Sequence, residues 1–126
     1  AMLSPKHFED FVLPALREQC QWLDYSMYHL DGTQCMVHLE HILSIEKLNA
    51  VEWTPQAGLP GGGDPMWFEM YQKILKANKS VQIVYIKPQE IIPLLNNIGA
   101  KGVYLMTEFE SQKQADSLYQ QCMNYL

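Results

Sequence analysis

Residues 81 to 86 read VQIVYI, a nearly unbroken apolar run between two stretches of helical spacing. A run of this kind is the pattern of a strand covered on both faces. Strands that alternate with helices pair in parallel, because parallel neighbours need a long crossover between them. The same strand-then-helix alternation recurs along the chain. A strand is predicted over Tyr25 to Leu30 and a helix from a Thr33 cap carrying Cys35, Met36, Leu39, Ile42 and Leu43. A second strand, Ala50 to Thr54, precedes a loop over residues 55 to 65, where three prolines and four glycines forbid regular structure.

Asp64 and Pro65 are a cap-plus-first-turn pair for a helix with Trp67, Phe68, Met70, Tyr71, Ile74 and Leu75. After Val81 to Ile86, Pro88 opens a helix that Gly99 ends, with Pro93 expected to distort it. Gly102 to Met106 is the fourth strand and Ser111 to Tyr125 the last helix. Ser4 and Pro5 start a helix that reaches about residue 23, with a kink expected at Pro14. The predicted fold is therefore α/β: a leading helix and four parallel strand-helix units with right-handed crossovers. Two architectures accept that order, half of a (β/α)8 barrel or a small doubly wound three-layer sheet. With 126 residues and no linker, residues 1 to 126 are expected to form one domain.

Composition narrows the partners. Nine Lys and Arg against fourteen Asp and Glu give a net charge of -5, with no basic stripe for nucleic acid. Three widely spaced cysteines, Cys20, Cys35 and Cys122, fit free thiols in a reducing compartment, so the cytoplasm is expected. No apolar run has the ~20 residues of a spanning helix, and the N-terminal residues lack a signal-peptide pattern. Ala1 ahead of Met2 is expected to be vector-derived.

Candidate chemistry collects where strands end, since ligands of α/β folds bind at the carboxyl ends of the strands. His29 and Asp31 share a face of the first strand, which suits a metal pair or an imidazole oriented by a carboxylate. The bland alternative makes Asp31 a helix cap. Glu52 is a carboxylate on an otherwise apolar strand, where a charge is costly unless it is paired or faces a wet site. It is a third ligand, an acid-base group or half of a salt bridge. Trp53, Tyr85 and Lys87 are candidate cofactor contacts, and Thr107 and Glu108 occupy a matching strand end. The Gly61-Gly62-Gly63 run lacks the lysine of a phosphate-binding loop and reads as a flexible loop. His38, Glu40 and His41 do not have zincin order and read as a solvated helix face.

The segment FEDFVLPALREQCQWLDYSMYHLDG, residues 8 to 32, and the segment VQIVYIKPQEIIPLLNNIGAKGVYLMT, residues 81 to 107, resemble the second half of the uroporphyrinogen decarboxylase superfamily, which includes corrinoid methyltransferases. The resemblance implies a (β/α)8 barrel of which this chain carries the last four units. It also implies a methyl-transfer system with a corrinoid or a thiol acceptor, and a zinc site where relatives have His-x-Cys-Gly. Here that stretch is His29-Leu30-Asp31-Gly32, and the family's later cysteine has no counterpart between Thr107 and Glu110. The metal set the resemblance suggests is thus His29, Asp31 and Glu108. An enzyme incomplete by itself is one implication. A non-catalytic ligand-binding or assembly half, or a remnant, is the other. An open half-barrel would expose inner apolar positions and two strand edges. A homodimer, or a complex with a chain carrying the missing half, is therefore expected.

Overall fold

A computed structural model describes residues 3 to 126, so Ala1 and Met2, with the reading of Ala1 as vector-derived, lie outside the described residues. Four strands, β1 (Met27–Asp31), β2 (Ala50–Thr54), β3 (Ser80–Ile86) and β4 (Val103–Thr107), pair in parallel in the order β1-β2-β3-β4. The fold is α/β, as the strand-helix alternation predicts. Sheet order follows chain order throughout, whereas a doubly wound sheet reverses its order part-way.

Side chains alternate across a strand, so the parallel register defines two faces. On one face Leu30, Val51, Trp53, Val81 and Ile83 are fully buried in a core with Ile42, Tyr71, Ile74 and Leu94 from the helices. Each such side chain contributes about 1.5–3 kcal/mol through its removal from water. On the other face the row His29, Glu52, Gln82 and Tyr104 runs straight across the sheet. That face is open: Tyr104 is 60% exposed, and Met27 and Met106 are nearly half exposed.

The helices are α1 (Pro5–His7), α2 (Leu13–Trp22), α3 (Leu39–Leu43), α4 (Phe68–Lys76), α5 (Pro88–Ile98) and α6 (Gln112–Cys122). Ser4 caps α1, its hydroxyl accepting the His7 N–H at 3.2 Å. The kink expected at Pro14 takes the form of a π-helical turn, Phe8–Val12, closed by the Leu13 N–H on the Phe8 carbonyl. A wide turn just before a proline relieves the clash between its ring and the carbonyl four residues back. Helix α5 spans Pro93, and Gly99 at φ 77° ends it as expected.

Several boundaries differ from the sequence reading: β3 starts at Ser80 rather than Val81, and β4 runs from Val103 to Thr107 rather than from Gly102 to Met106. β1 starts at Met27 rather than Tyr25, whose side chain is 85% exposed, and it extends to Asp31. Thr33 does not cap a helix: its hydroxyl donates to Gln56 Oε1 at 3.1 Å, and a 3-10 turn, Thr33–His38, precedes the short α3. Gly32, at φ 75°, makes the turn out of the strand, a conformation that costs glycine little.

His38 also departs from expectation. It is 3% exposed, stacked on the Phe8 ring with centroids 4.3 Å apart, and neither ring nitrogen has a hydrogen-bond partner. Only Glu40, paired with Lys73, behaves as a solvated face requires. Helical spacing placed His38 outward, but the 3-10 turn rotates it beneath the N-terminal helix. Burial lowers its pKa, and the nearby His41 adds to this. At pH 7 the folded chain holds His38 neutral and the unfolded chain leaves it mostly so, and the residue contributes little pH dependence there. As pH falls below about 6.5, the unfolded chain takes up a proton that the folded one resists. Stability is therefore expected to decline on acidification, by up to about 1.4 kcal/mol per pH unit from this residue. Denaturant titrations at pH 7 and pH 5 should show a smaller drop in His38→Leu than in the unmodified chain.

Candidate functional site at the carboxyl ends of the strands

The carboxyl ends of the strands open into two adjoining grooves on the helix-free side. The first, of about 650 Å³, is lined by His29, Glu52, Thr54, Tyr85, Lys87, Thr107 and Glu108, among others. The second, of about 770 Å³, takes in Asp31, Gln56 and Leu59 and shares Thr54, Tyr85 and Lys87 with the first. Both volumes lie within the range of small-ligand sites.

Register builds the centre of the first groove. His29 of β1 sits opposite Glu52 of β2, and Asp31 opposite Thr54. His29 Nε2 lies 2.9 Å from Thr54 Oγ1, and that hydroxyl donates to Glu52 Oε1 at 3.2 Å. A hydroxyl has one proton to give, so with it committed to Glu52, Thr54 accepts from His29. Nε2 therefore bears the ring proton, and in the neutral imidazole Nδ1 carries the lone pair. The Glu52 carboxylate is 3.8 Å from Nε2 and half-buried, close enough to support a charged ring. The chain Glu52–Thr54–His29 thus fixes both the tautomer of the imidazole and the charge beside it. Sequence reasoning found His29 and Glu52 but did not assign Thr54 this part; its signal was the parity it shares with Glu52.

Tyr85 reaches the site through an irregularity. β3 pairs with β4 at Ile83↔Leu105 and next at Ile86↔Thr107, so β3 carries one extra residue there. A bulge of this type re-aims a side chain. Tyr85 takes φ 54°, and its ring stands 71% exposed where the two grooves meet. Such backbone in a non-glycine residue costs on the order of 1 kcal/mol or more.

The bulge is held from behind by the triple-glycine loop. The Gly62 N–H bonds to the Val84 carbonyl at 3.2 Å, Tyr71 Oη donates to the Gly62 carbonyl at 2.7 Å, and Trp67 Nε1 donates to the Gly61 carbonyl at 3.0 Å. Burial, helped by Asp64, pushes the Tyr71 phenol up, so it stays a donor. The flexible loop expected from composition is therefore a packed one, with Gly62 and Gly63 buried. A Cβ on Gly61 or Gly62 would run into backbone, the Tyr85 and Val84 carbonyl oxygens, and one on Gly63 into the Glu90 side chain.

Lys87 lies at the N-terminus of α5, where its N–H bonds to Glu90 Oε2 at 2.8 Å and its ammonium remains exposed. Trp53 is corrected as a cofactor contact: it is fully buried on the helix side, its ring 5.0 Å from that of Trp67, and it lines neither groove. Its neighbours Glu52 and Thr54 face the site because alternate residues face opposite ways.

The expected metal set does not assemble. Among the described residues no three His, Cys, Asp or Glu side chains form a group that could hold a metal ion. His29 and Glu108 line the first groove, Asp31 lines only the second, and His29 Nε2 is already engaged by Thr54. A tetrahedral zinc site needs at least three protein donors converging on one point. The residues present do not fit zinc.

The described cysteines are all free. No helix among the described residues is long and apolar enough to cross a membrane. Compared with models of known protein families, with curated proteins and with solved structures, the chain finds no match.

Proposed function

We propose that this chain is the carboxyl-side half of a barrel like that of uroporphyrinogen decarboxylase and the related methyltransferases, and that its groove handles a small thiol with an anionic tail. The observation that carries the reading is the Glu52–Thr54–His29 chain at the carboxyl ends of sequentially ordered parallel strands. In this reading the thiol loses its proton to His29 Nδ1, the imidazolium so formed is supported by Glu52, and the Lys87 ammonium attracts the anionic tail. The thiolate is the nucleophilic form and the natural acceptor of a methyl group. Tyr85 closes the groove over the ligand. A half that holds such a ligand without turning it over is the second reading, favoured by the separation of His29 and Asp31 into different grooves.

Calorimetric titration with 2-mercaptoethanesulfonate tests the site. Saturable binding is expected, weakened at least tenfold, about 1.4 kcal/mol, by His29→Ala. Lys87→Ala is expected to weaken it several-fold and to flatten its salt dependence, as removal of an exposed charge should. Equal affinity in His29→Ala would overturn the assignment.

A further inference from the structure

We infer that Tyr85 sets the length of ligand this site accepts: its ring partitions one cleft into a chamber that holds the thiol and a second chamber suited to a peptidic tail, so that only short thiols settle at His29. The inference rests on the thiol reading and adds to it the residue that decides which thiols are taken. It starts from the two grooves, which adjoin and have Thr54, Tyr85 and Lys87 in common. Each groove alone has the volume of a small-ligand site, and joined end to end they would take a much longer molecule.

Of the three shared residues only Tyr85 makes a wall. Thr54 is small, and its hydroxyl is held between His29 and Glu52. Lys87 is a flexible stem whose ammonium stays exposed. The Tyr85 ring is rigid and stands out from the sheet, and its backbone is pinned on every side. Val84 and Ile86, before and after it, are buried, and the triple-glycine loop packs so closely behind that a Cβ on Gly61 would lie 2.2 Å from the Tyr85 carbonyl oxygen. The backbone has no room to withdraw. A φ of 54° carries a cost that glycine would avoid, yet a tyrosine stands there. Strain kept at the junction of two cavities points to a side chain with a task at that junction.

The second chamber has different chemistry. Asp31 lines it and not the first groove, together with Gln56 and Leu59. The Asp31 carboxylate repels a sulfonate or other anionic tail, which therefore stays on the Lys87 side. The same carboxylate suits an ammonium group. The Gln56 amide oxygen is taken by the Thr33 hydroxyl, and its NH2 group suits a peptide carbonyl. A peptide with a free ammonium terminus has that make-up. Ring and charge thus act together: Tyr85 bars the passage between the chambers, and Asp31 turns away the tail of the thiol that the first groove admits.

Calorimetric titration of the full chain with 2-mercaptoethanesulfonate and with reduced glutathione, a thiol with a peptidic, ammonium-bearing tail, reads the selectivity. The unmodified chain is expected to bind the sulfonate at least tenfold more tightly. In Tyr85→Gly the ratio is expected to move at least tenfold toward glutathione, and Asp31→Asn in that background to take back threefold or more of the shift. Tyr85→Phe keeps the ring and should keep the selectivity. Glycine relieves the backbone strain but has more chain entropy to lose, so Tyr85→Gly should melt within about 2 °C of the unmodified chain. Tyr85→Ala opens the same passage and carries the same test if Tyr85→Gly melts lower. A ratio unchanged within threefold in the folded variant, or a Tyr85→Phe as permissive as Tyr85→Gly, overturns the inference and leaves the thiol reading standing. So does an unmodified chain that takes both thiols equally well through His29. No His29-dependent binding of either thiol to the unmodified chain overturns both.

Discussion

Gly62→Ala is expected to lower the melting temperature by about 10 °C, equivalent to about 3 kcal/mol in a domain of this size. A Cβ built on Gly62 would lie 2.3 Å from the Val84 carbonyl oxygen and 2.6 Å from Ile83 Cγ2. Neither neighbour can yield cheaply, since one is sheet backbone and the other a fully buried branched side chain. The loop would have to lift, breaking its bond to Val84 and the hydrogen bond from Tyr71. Lifting also removes the support behind the bulge, so Tyr85 should lose its fixed place between the grooves. Differential scanning calorimetry checks the stability and thiol titration checks the site. A melting shift under 2 °C would show that the loop yields more easily than its contacts imply. Gly58→Ala makes a useful contrast: nothing lies within 4 Å of its Cβ position, so only its φ of 88° is penalised.

Trp53→Ala is expected to cost about 3–5 kcal/mol, the range for deleting a large buried aromatic side chain. The indole is fully buried against Trp67 in the core that joins sheet to helices, so the cavity left behind would have no easy way to collapse. Its Nε1 has no hydrogen-bond partner, so removing the ring orphans no acceptor, and the loss is one of packing. Tyr85→Ala, with an exposed ring, should change stability by less than about 1 kcal/mol while weakening ligand binding. Urea denaturation together with thiol titration separates the two roles. The expected pattern is Trp53→Ala destabilised with its affinity retained below its unfolding midpoint, and Tyr85→Ala the reverse. A loss of affinity in folded Trp53→Ala beyond threefold would return that residue to the site.

How much of this was legible in the sequence depends on the range of the interaction involved. The strands were legible because period two and β-branched runs are local, and three of the five predicted helical starts rest on Ser4, Asp64 and Ser111, whose side chains accept backbone N–H groups close by. Thr33 misled because its hydroxyl found Gln56 across the fold instead. Lys79 gave no signal at all. Its ammonium is buried, donating to the Ile45 and Leu48 carbonyls at 2.7 and 2.8 Å, partners about thirty residues away.

The candidate site divides along the same line. The residue pattern by itself determined that the chain would form parallel strand-helix units and that His29, Glu52, Tyr85 and Lys87 would fall near strand ends, because alternation and punctuation by Gly and Pro act within a few residues. Only the tertiary structure decided which of these groups meet. The β1/β2 register put Thr54 between His29 and Glu52, a single inserted residue in β3 turned Tyr85 into the groove, and alternation took Trp53 to the opposite face. Register and bulge are set by how the whole sheet packs against its helices, and no local stretch of sequence contains that information.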